Sequence, residues 1–173
     1  MRFQNLYLTF MMLFVIGVST QAFGQTDLPS TRVKTLDGKS VTLQEVIKPG
    51  VITVISFWAT WCAPCKKELD AINEIYEDWQ SEYGVELIAI STDDARTAPK
   101  IKPTITQKGW KYTFLNDQNQ ELQKALNFQA VPQTFLIGKD GKIAWTHAGY
   151  VPGDENELEN HIKELAEIGR AHV

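Results

Sequence analysis

The sequence predicts an α/β fold in which helices flank a central mixed sheet. Strand-like and helix-like segments alternate along most of the chain, which is typical of parallel strands joined by crossover helices. Near the C-terminal end, two strand-like segments are separated only by the turn Lys139-Asp140-Gly141-Lys142, so the sheet becomes antiparallel there. The chain has 173 residues, of which 43% are hydrophobic. That is enough apolar material for one sizeable core, so we expect one domain.

A hairpin and a buried strand come first. Arg32 to Lys34 and Ser40 to Leu43 flank the turn signal Asp37-Gly38, which predicts a short hairpin ahead of the core. Val51 to Phe57 is rich in β-branched residues and almost continuously apolar. This pattern indicates a central strand that is covered on both faces.

A long helix from Cys62 to Tyr83 follows this strand. Apolar side chains recur in it with the period of a helix that buries one face, and Gly84 provides a C-terminal stop. The recurring apolar residues are Leu69, Ile72, Ile75, Tyr76 and Trp79.

The second half of the chain continues the alternation. Thr92-Asp93-Asp94 predicts the cap of a helix that runs toward Gly109, and Pro99 and Pro103 must kink or split that helix. The other predicted elements are the strand Val85 to Ser91, the strand Tyr112 to Leu115, the turn Asn116 to Asn119, the helix Glu121 to Leu126, the strand Thr134 to Ile137, the strand Ile143 to Ala148 and a last helix from Asp154 to Ile168.

The charge pattern limits the choice of partners. The formal net charge is −4 at pH 7, and the chain has no extended field of lysine and arginine, which excludes nucleic acid as a partner. One stretch is nevertheless basic, and it is either a docking surface for an acidic partner or an ordinary solvated face. Its basic residues are Arg96, Lys100, Lys102, Lys108 and Lys111.

Residues 1–24 predict a cleaved secretory signal, which leaves residues 25–173 as the folded domain. Met1-Arg2 gives a positive start, Leu6 to Val18 is almost wholly apolar, and Ala22-Phe23-Gly24 offers small residues for cleavage. A helix formed by the apolar run would cover about 20 Å, against a hydrocarbon core of ~30 Å, so a permanent anchor is the less favoured alternative. We therefore expect a protein of the periplasm or another extracytoplasmic compartment.

The pentapeptide Trp61-Cys62-Ala63-Pro64-Cys65 contains the two cysteines of the chain, just after the predicted central strand. A helix that starts at Cys62 points free N–H groups and its positive dipole end at that sulfur, which favours the nucleophilic thiolate. Pro64 suits the opening turn, and Cys65 lies one helical turn from Cys62, within reach of a disulfide. The spacing predicts a redox pair in which one sulfur attacks and the other resolves.

Three other interpretations of the cysteines stay open at this point. A purely structural disulfide would close so short a loop that it would remove little entropy from the unfolded chain. Zinc needs four ligands, and besides the cysteines the chain offers His147, His161 and His172, which lack a typical zinc spacing. Copper held by thiolates and imidazole is the third possibility.

Two separate segments carry a family resemblance. Phe57 to Glu68, with its Trp-Cys-x-x-Cys pattern, and the distant Val131-Pro132-Gln133-Thr134 together resemble the thioredoxin superfamily, specifically its exported TlpA/ResA-like disulfide reductases. The resemblance extends from about Thr31 to Ile168. It implies a thioredoxin-like fold with an N-terminal β-hairpin extension and a helix-strand insertion between Ala95 and Leu115.

The resemblance also implies the layout of a substrate site. Pro132 is expected to form a cis peptide bond and to lie against the cysteines, so that the main chain of Val131 can pair with a substrate strand. An ordinary trans proline at the start of a strand is the alternative. Trp58 is expected in the core. The expected substrate-binding residues are Trp61, Ala63, Pro64, Val131 and Pro132.

Glu68 is expected to join Cys62 and Cys65 as a catalytic residue. Thioredoxin has a buried aspartate where this chain has Ser56, and a serine cannot accept a proton from the second thiol near neutral pH. ResA-like proteins carry a glutamate after the second cysteine that Glu68 matches, although Ala63 replaces their glutamate between the cysteines. Cys65 and Glu68 share a helix face and can exchange a proton. An ordinary solvated glutamate is the alternative.

The resemblance implies an exported, monomeric protein-disulfide reductase. Its redox group is a Cys62–Cys65 disulfide, with no metal or other cofactor. Its expected partners are protein disulfides, such as those of apocytochrome c, and a membrane electron donor. A disulfide oxidase or isomerase is one alternative, although Ala63-Pro64 lacks the histidine typical of strong oxidases. A thioredoxin-fold module that binds copper or assists assembly is another.

Overall fold

A computed structural model describes residues 26–170, which form one continuous sheet with helices on both faces. The predicted signal segment, residues 1–24, lies outside the described residues. The strands are β1 (Thr26–Asp27), β2 (Arg32–Thr35), β3 (Ser40–Thr42), β4 (Thr53–Trp58), β5 (Glu86–Ser91), β6 (Thr113–Asn116), β7 (Gln133–Ile137) and β8 (Lys142–Ala148). The helices are α1 (Leu43–Val46), α2 (Ala63–Tyr83), α3 (Ile101–Lys108), α4 (Glu121–Ala125) and α5 (Asp154–Arg170), with a 3-10 turn at Ala98–Lys100.

The sheet is mixed, as the sequence predicts. Its strand order is β1-β8-β7-β4-β5-β6-β2-β3. β4, β5 and β6 run parallel, and their crossover connections contain α2 and α3. β7 is antiparallel to both β4 and β8, and the tight turn at Gly138–Gly141 joins β7 directly to β8. β4 therefore lies in the middle of the sheet, as expected for a strand that is apolar on both faces.

Alternation along β4 divides the core into two layers. Val54 and Trp58 point toward α2 and α5, whereas Ile55 and Phe57 point toward the opposite face, where α1 and α4 pack. Ser56 lies between Val54 and Trp58 on the same side of the strand, so it also faces α2. It is fully buried there, although its side chain is polar. The strand therefore presents a single hydroxyl to the face that carries the cysteines.

The N-terminal hairpin is confirmed and is part of the main sheet. β2 and β3 pair in antiparallel register around the predicted turn, and β2 also pairs with β6. The hairpin thereby covers the edge that β6 would otherwise expose. Val33 and Val41 from the hairpin are buried in the α1 and α4 layer.

The predicted cap at Thr92-Asp93-Asp94 is wrong. Asp94 accepts hydrogen bonds from the N–H groups of Arg96 and Thr97, which makes a turn, and helical structure begins later, at Ala98. The two prolines split the segment as predicted, since Pro99 lies in the 3-10 turn and Pro103 in the first turn of α3. Asp93 is turned inward and is completely buried.

The basic stretch is paired in part with acidic residues. Lys108 lies 2.5 Å from Asp70, and Lys111 lies 2.6 Å from Glu77, so two of its charges lie against acids of α2. Arg96 pairs locally with Asp94. These contacts favour an ion-paired, solvated face over a dedicated docking surface. Among the helices between residues 26 and 170, none is both long and apolar enough to cross a membrane.

Candidate active site

The cysteines lie at the junction between the central strand β4 and the long helix α2. β4 ends at Trp58, and Cys62 is the N-cap of α2 with an extended backbone conformation. Its Sγ atom accepts a hydrogen bond from the N–H of Cys65 at 3.3 Å, which satisfies one of the free donors at the helix start. Pro64 occupies the first helical turn, where its missing N–H leaves no gap in the hydrogen-bond ladder. The helix thus directs its positive end at the Cys62 sulfur.

Cys62 and Cys65 form a disulfide, with their Cα atoms 5.4 Å apart. Cys62 retains 4% exposure and Cys65 retains none, so Cys62 is the sulfur that a partner can reach first. The residues around Cys62 are open to solvent: Trp61 is 66% exposed, and Ala63 and Pro64 are also exposed. An exposed tryptophan beside a nearly buried sulfur is suited to contact with a partner protein.

The peptide bond between Val131 and Pro132 is cis, as predicted. The carbonyl oxygen of Val131 lies 3.7 Å from the Sγ atom of Cys62, which brings the second sequence motif directly against the first. The carbonyl of Pro132 accepts a hydrogen bond from the N–H of Gly149 at 2.9 Å. Val131 is half-buried and Pro132 is buried.

Glu68 is buried, with only 5% of its surface exposed, so the interpretation as an ordinary solvated glutamate is wrong. Ser56 Oγ donates a hydrogen bond to Glu68 Oε2 at 3.1 Å, and Thr134 Oγ1 donates one to Glu68 Oε1 at 2.6 Å. Glu68 lies one helical turn after Cys65, which is fully buried. The buried carboxyl group near the cysteines therefore belongs to helix α2, whereas strands β4 and β7 contribute the two hydroxyls that bind it.

Burial raises the pKa of Glu68 from its ordinary value to about 7, because water no longer solvates the carboxylate. The hydrogen bonds from Thr134 and Ser56 act in the opposite direction, since they stabilise the charged form. A carboxyl group with a pKa near 7 can both accept and release a proton at neutral pH. This is the property that a general acid-base group needs.

Asp93 is a site residue, although the sequence pattern assigned it only to a helix cap. One of its oxygens accepts a hydrogen bond from the N–H of Thr60 at 2.8 Å, and the other accepts one from the Thr60 hydroxyl at 2.7 Å. The Ser91 hydroxyl also donates to it. Asp93 thus fixes the turn between β4 and Cys62. Its position directly after a buried parallel strand was a signal for this edge of the sheet.

Thr134 and His147 were also missed as neighbours of Glu68. Thr134 lies within the Val-Pro-Gln-Thr motif, but the motif alone did not show that its hydroxyl binds a carboxyl group. His147 stands opposite Thr134 in the pairing of β7 with β8.

Within residues 26–170, no group of three or more His, Cys, Asp or Glu side chains is placed to hold a metal ion.

Comparisons with known proteins agree with this geometry. The AhpC/TSA family pattern matches residues 25–146. The thiol-disulfide oxidoreductase ResA of Bacillus thuringiensis (strain Al Hakam) is 33% identical over 139 residues, which cover 80% of this chain and 76% of that protein.

Two solved structures are similar over most of their length. An uncharacterized thioredoxin-like protein from Porphyromonas gingivalis is 41% identical with a TM-score of 0.73, covering 81% of this chain and 92% of the other. A putative thiol:disulfide interchange protein DsbE from Chlorobium tepidum is 25% identical with a TM-score of 0.71, covering 82% and 96%. The chain therefore belongs to the AhpC/TSA family, and within it is a ResA-like thiol-disulfide oxidoreductase with a thioredoxin fold.

Proposed function

We propose that this protein is exported and reduces disulfides of extracytoplasmic client proteins, with Cys62 as nucleophile, Cys65 as resolving thiol and Glu68 as proton acceptor. One observation carries the proposal. The more accessible sulfur lies at a helix N terminus among exposed residues, while the second sulfur is buried one turn before a buried carboxyl group. This asymmetry supports a separate role for each of the three groups.

In the first step, the Cys62 thiolate attacks one sulfur of a client disulfide. A bond forms between Cys62 and that sulfur, the client bond breaks, and the other client sulfur leaves as a thiolate that takes a proton from solvent. The helix start, with the Cys65 N–H aimed at Cys62 Sγ, stabilises the attacking thiolate. The client chain lies along Val131 and Pro132 and contacts Trp61, Ala63 and Pro64.

In the second step, Cys65 releases the client. Its thiol gives a proton to Glu68, and the resulting thiolate attacks Cys62, so that the Cys62–Cys65 disulfide forms and the client leaves fully reduced. Two electrons have then passed from the cysteine pair to the client. The oxidised enzyme must be reduced again by another dithiol, for which we propose a membrane electron donor, since we expect the predicted signal to direct export.

A trapping experiment tests the proposal. Cys65→Ala keeps the attacking sulfur but prevents release, so we expect clients to accumulate as mixed disulfides with Cys62 in cells that express the variant. Cys62→Ala is the matched control, because the one cysteine that it retains, Cys65, is buried. Capture of cysteine-containing exported proteins, apocytochrome c among them, by Cys65→Ala alone supports the proposal. Equal capture by both variants, or by neither, contradicts it.

Equilibration with a thiol buffer tests the direction of the reaction. The potential of a reductase lies near that of thioredoxin, about −270 mV, whereas a strong oxidase such as DsbA lies near about −120 mV. Ala63-Pro64 between the cysteines favours the reductive value. A potential near the oxidase value contradicts the reductase assignment, and tight stoichiometric copper binding without disulfide reduction supports the copper module instead.

A further inference from the structure

Three polar side chains form a row across the sheet beneath Glu68. Ser56 on β4 stands opposite Thr134 on β7, and Thr134 stands opposite His147 on β8. Residues directly opposite one another in antiparallel strands point to the same face, so all three face α2 and α5. The first two bind Glu68, and the third lies one strand nearer the edge of the sheet. The row therefore leads outward from the buried carboxyl group.

A small pocket lies over the outer part of this row, between the sheet and α5. Its polar lining is Glu68, Thr134, His147, Tyr150, Asp154 and Glu155. It has room for about one water molecule, and most of its surface is apolar, because Ile72, Trp145 and Leu158 also line it. Glu68 closes the inner end, whereas the side chains of His147 and Asp154 are 28% and 20% exposed. The pocket thus connects a buried group with a solvated one.

His147 is held in place by contacts on two sides. Its Nε2 atom lies 3.0 Å from Asp154 Oδ2, and its ring stacks on Trp145 with centroids 5.4 Å apart. Asp154 also accepts a hydrogen bond from the N–H of Val151 at 2.8 Å, which fixes the carboxylate. When Nε2 carries the hydrogen that is donated to Asp154, Nδ1 is the basic nitrogen of the ring.

Catalysis by Glu68 requires a way for its proton to leave. Glu68 can accept the proton of Cys65 only when it is ionised, and with a pKa of about 7 it already carries a proton in much of the protein at and below neutral pH. That proton must exchange with solvent, and both carboxyl oxygens are otherwise engaged by the buried hydroxyls of Ser56 and Thr134. We propose that the pocket is the proton route from Glu68 to solvent and that His147, positioned by Asp154, is the residue that accepts the proton at its outer end. This inference rests on the proposed role of Glu68.

The proton balance is simple. Cys65 loses a proton to Glu68, Glu68 passes it through the pocket to His147, and His147 releases it to bulk water; no electron moves in these steps. Asp154, 3.0 Å from Nε2, keeps the imidazole ring in one orientation during these transfers.

Other titratable groups also face Glu68. They are Tyr150 from the β8–α5 loop, Asp154 and Glu155 from α5, His147 from β8 and Cys65 from its own helix. Burial and a hydrogen bond to Glu155 raise the pKa of Tyr150 to about 12, so this phenol stays protonated at neutral pH. Positive charge on His147 lowers the pKa of Glu68, and the negative charge of Asp154 raises it.

A two-step reaction with a chromogenic aromatic disulfide tests the route. Attack by Cys62 releases a first coloured thiolate, and attack by Cys65 on the mixed disulfide releases a second one. We expect His147→Gln to slow the second release about tenfold at pH 6, where Glu68 must lose its own proton before it can accept the one from Cys65, and to leave the first release unchanged. In His147→Ala, added imidazole should restore the second release. If His147→Gln does not fold, Asp154→Asn keeps the histidine without its anchor and should slow the same step.

His161 provides the matched control. It lies on α5, and its ring also packs on Trp145, with centroids 4.8 Å apart, but it pairs with Glu157 and Glu164 and does not line the pocket. His161→Gln should therefore behave as the wild type. A normal second release in His147→Gln across pH 5 to 9, while Glu68→Gln slows it, overturns the route but not the proposed function. A wild type that releases no second thiolate overturns both.

Discussion

At the scale of single residues, Glu68 makes the stability of the oxidised protein depend on pH. In the unfolded chain the carboxyl ionises at its ordinary pKa of 4.5, whereas in the folded protein its pKa is about 7. Between these values the folded state holds a proton that the unfolded state has lost. The contribution of Glu68 to stability is therefore least unfavourable below pH 4.5, falls as the pH rises toward 7, and is constant above that.

Glu68→Gln should remove this dependence. The amide keeps the shape of the side chain, and the hydroxyls of Ser56 and Thr134 can rotate to serve it. Between pH 4 and pH 8, we expect the stability of Glu68→Gln relative to the wild type to increase by about 3 kcal/mol, from the shift of pKa. Urea unfolding of the oxidised proteins at several pH values measures it. Glu77→Gln, on the exposed face of the same helix, should show no comparable change; parallel curves for Glu68→Gln and the wild type would contradict the expectation.

Asp93 is expected to contribute more to the free energy of unfolding than its neighbour Asp94. It is fully buried and accepts hydrogen bonds from Thr60 and Ser91, so Asp93→Ala leaves the half-buried Thr60 N–H and the buried Ser91 hydroxyl without this partner. We expect a loss of about 3 kcal/mol in the free energy of unfolding and a slower first attack by Cys62, because the turn before it loosens. Urea unfolding and the chromogenic assay measure the two effects. Asp94→Ala changes the neighbouring, more exposed acid and should have a much smaller effect; equal losses would refute the assignment.

At the scale of elements, Trp110 joins the inserted segment to the central strand. Its ring packs edge-to-face on Trp58, with centroids 5.3 Å apart, and its Nε1–H donates to Asp70 on α2 at 2.9 Å. The residue lies directly between α3 and β6, and it is buried. It thereby ties the insertion to both the sheet and the long helix.

Trp110→Ala should therefore destabilise the protein by about 3 to 5 kcal/mol, as expected for a buried aromatic side chain that leaves a cavity. Hydrogen exchange should show the largest loss of protection in α3 and β6. Trp110→Phe keeps an apolar ring but removes the hydrogen bond to Asp70, so its loss should be smaller. If α3 kept its protection in Trp110→Ala while distant strands lost theirs, the tryptophan would not anchor the insertion.

The elements differ in how far the sequence could predict them. β4 and α2 have long, regular apolar patterns, so their positions were correct to within two residues. The Thr92-Asp93-Asp94 segment looked like a helix cap because the same residue types satisfy free N–H groups at turns and, for Asp93, at a buried site. Local sequence could not distinguish these uses. Strand β1 has two residues and pairs with distant β8, so it has no local signal.

The residues of the candidate site also differ in how far the sequence could predict their positions. The cysteine pair and the cis proline were predictable because each belongs to a compact sequence motif. The contact of Glu68 with Thr134 spans 66 positions and depends on which strands are neighbours. Periodicity places Glu68 on a face of its helix, but only the sheet order shows that this face meets two hydroxyls. The position of His147 at the end of the row depends on strand register, which the sequence did not specify.

At the scale of the whole molecule, the sheet order brings the two sequence motifs together. β4 and β7 are antiparallel neighbours, so the C-terminal end of one meets the N-terminal start of the other, with Phe57 opposite Gln133. The segment before β7 therefore ends beside the turn after β4. This topology, rather than the disulfide, positions Cys62 against Val131. The fold should consequently keep the site assembled in both redox states.

Reduction of the disulfide should leave the protein folded. The Cys62–Cys65 bond closes a loop of two intervening residues, and chain entropy for so short a loop gives at most about 2 kcal/mol of stabilisation. Urea unfolding with and without a reductant should thus give cooperative transitions that differ by no more than about this amount. The double variant Cys62→Ser and Cys65→Ser provides a reference that cannot be oxidised. Loss of the cooperative transition on reduction would instead identify the disulfide as a structural one, since an enzyme that cycles between dithiol and disulfide must be folded in both states.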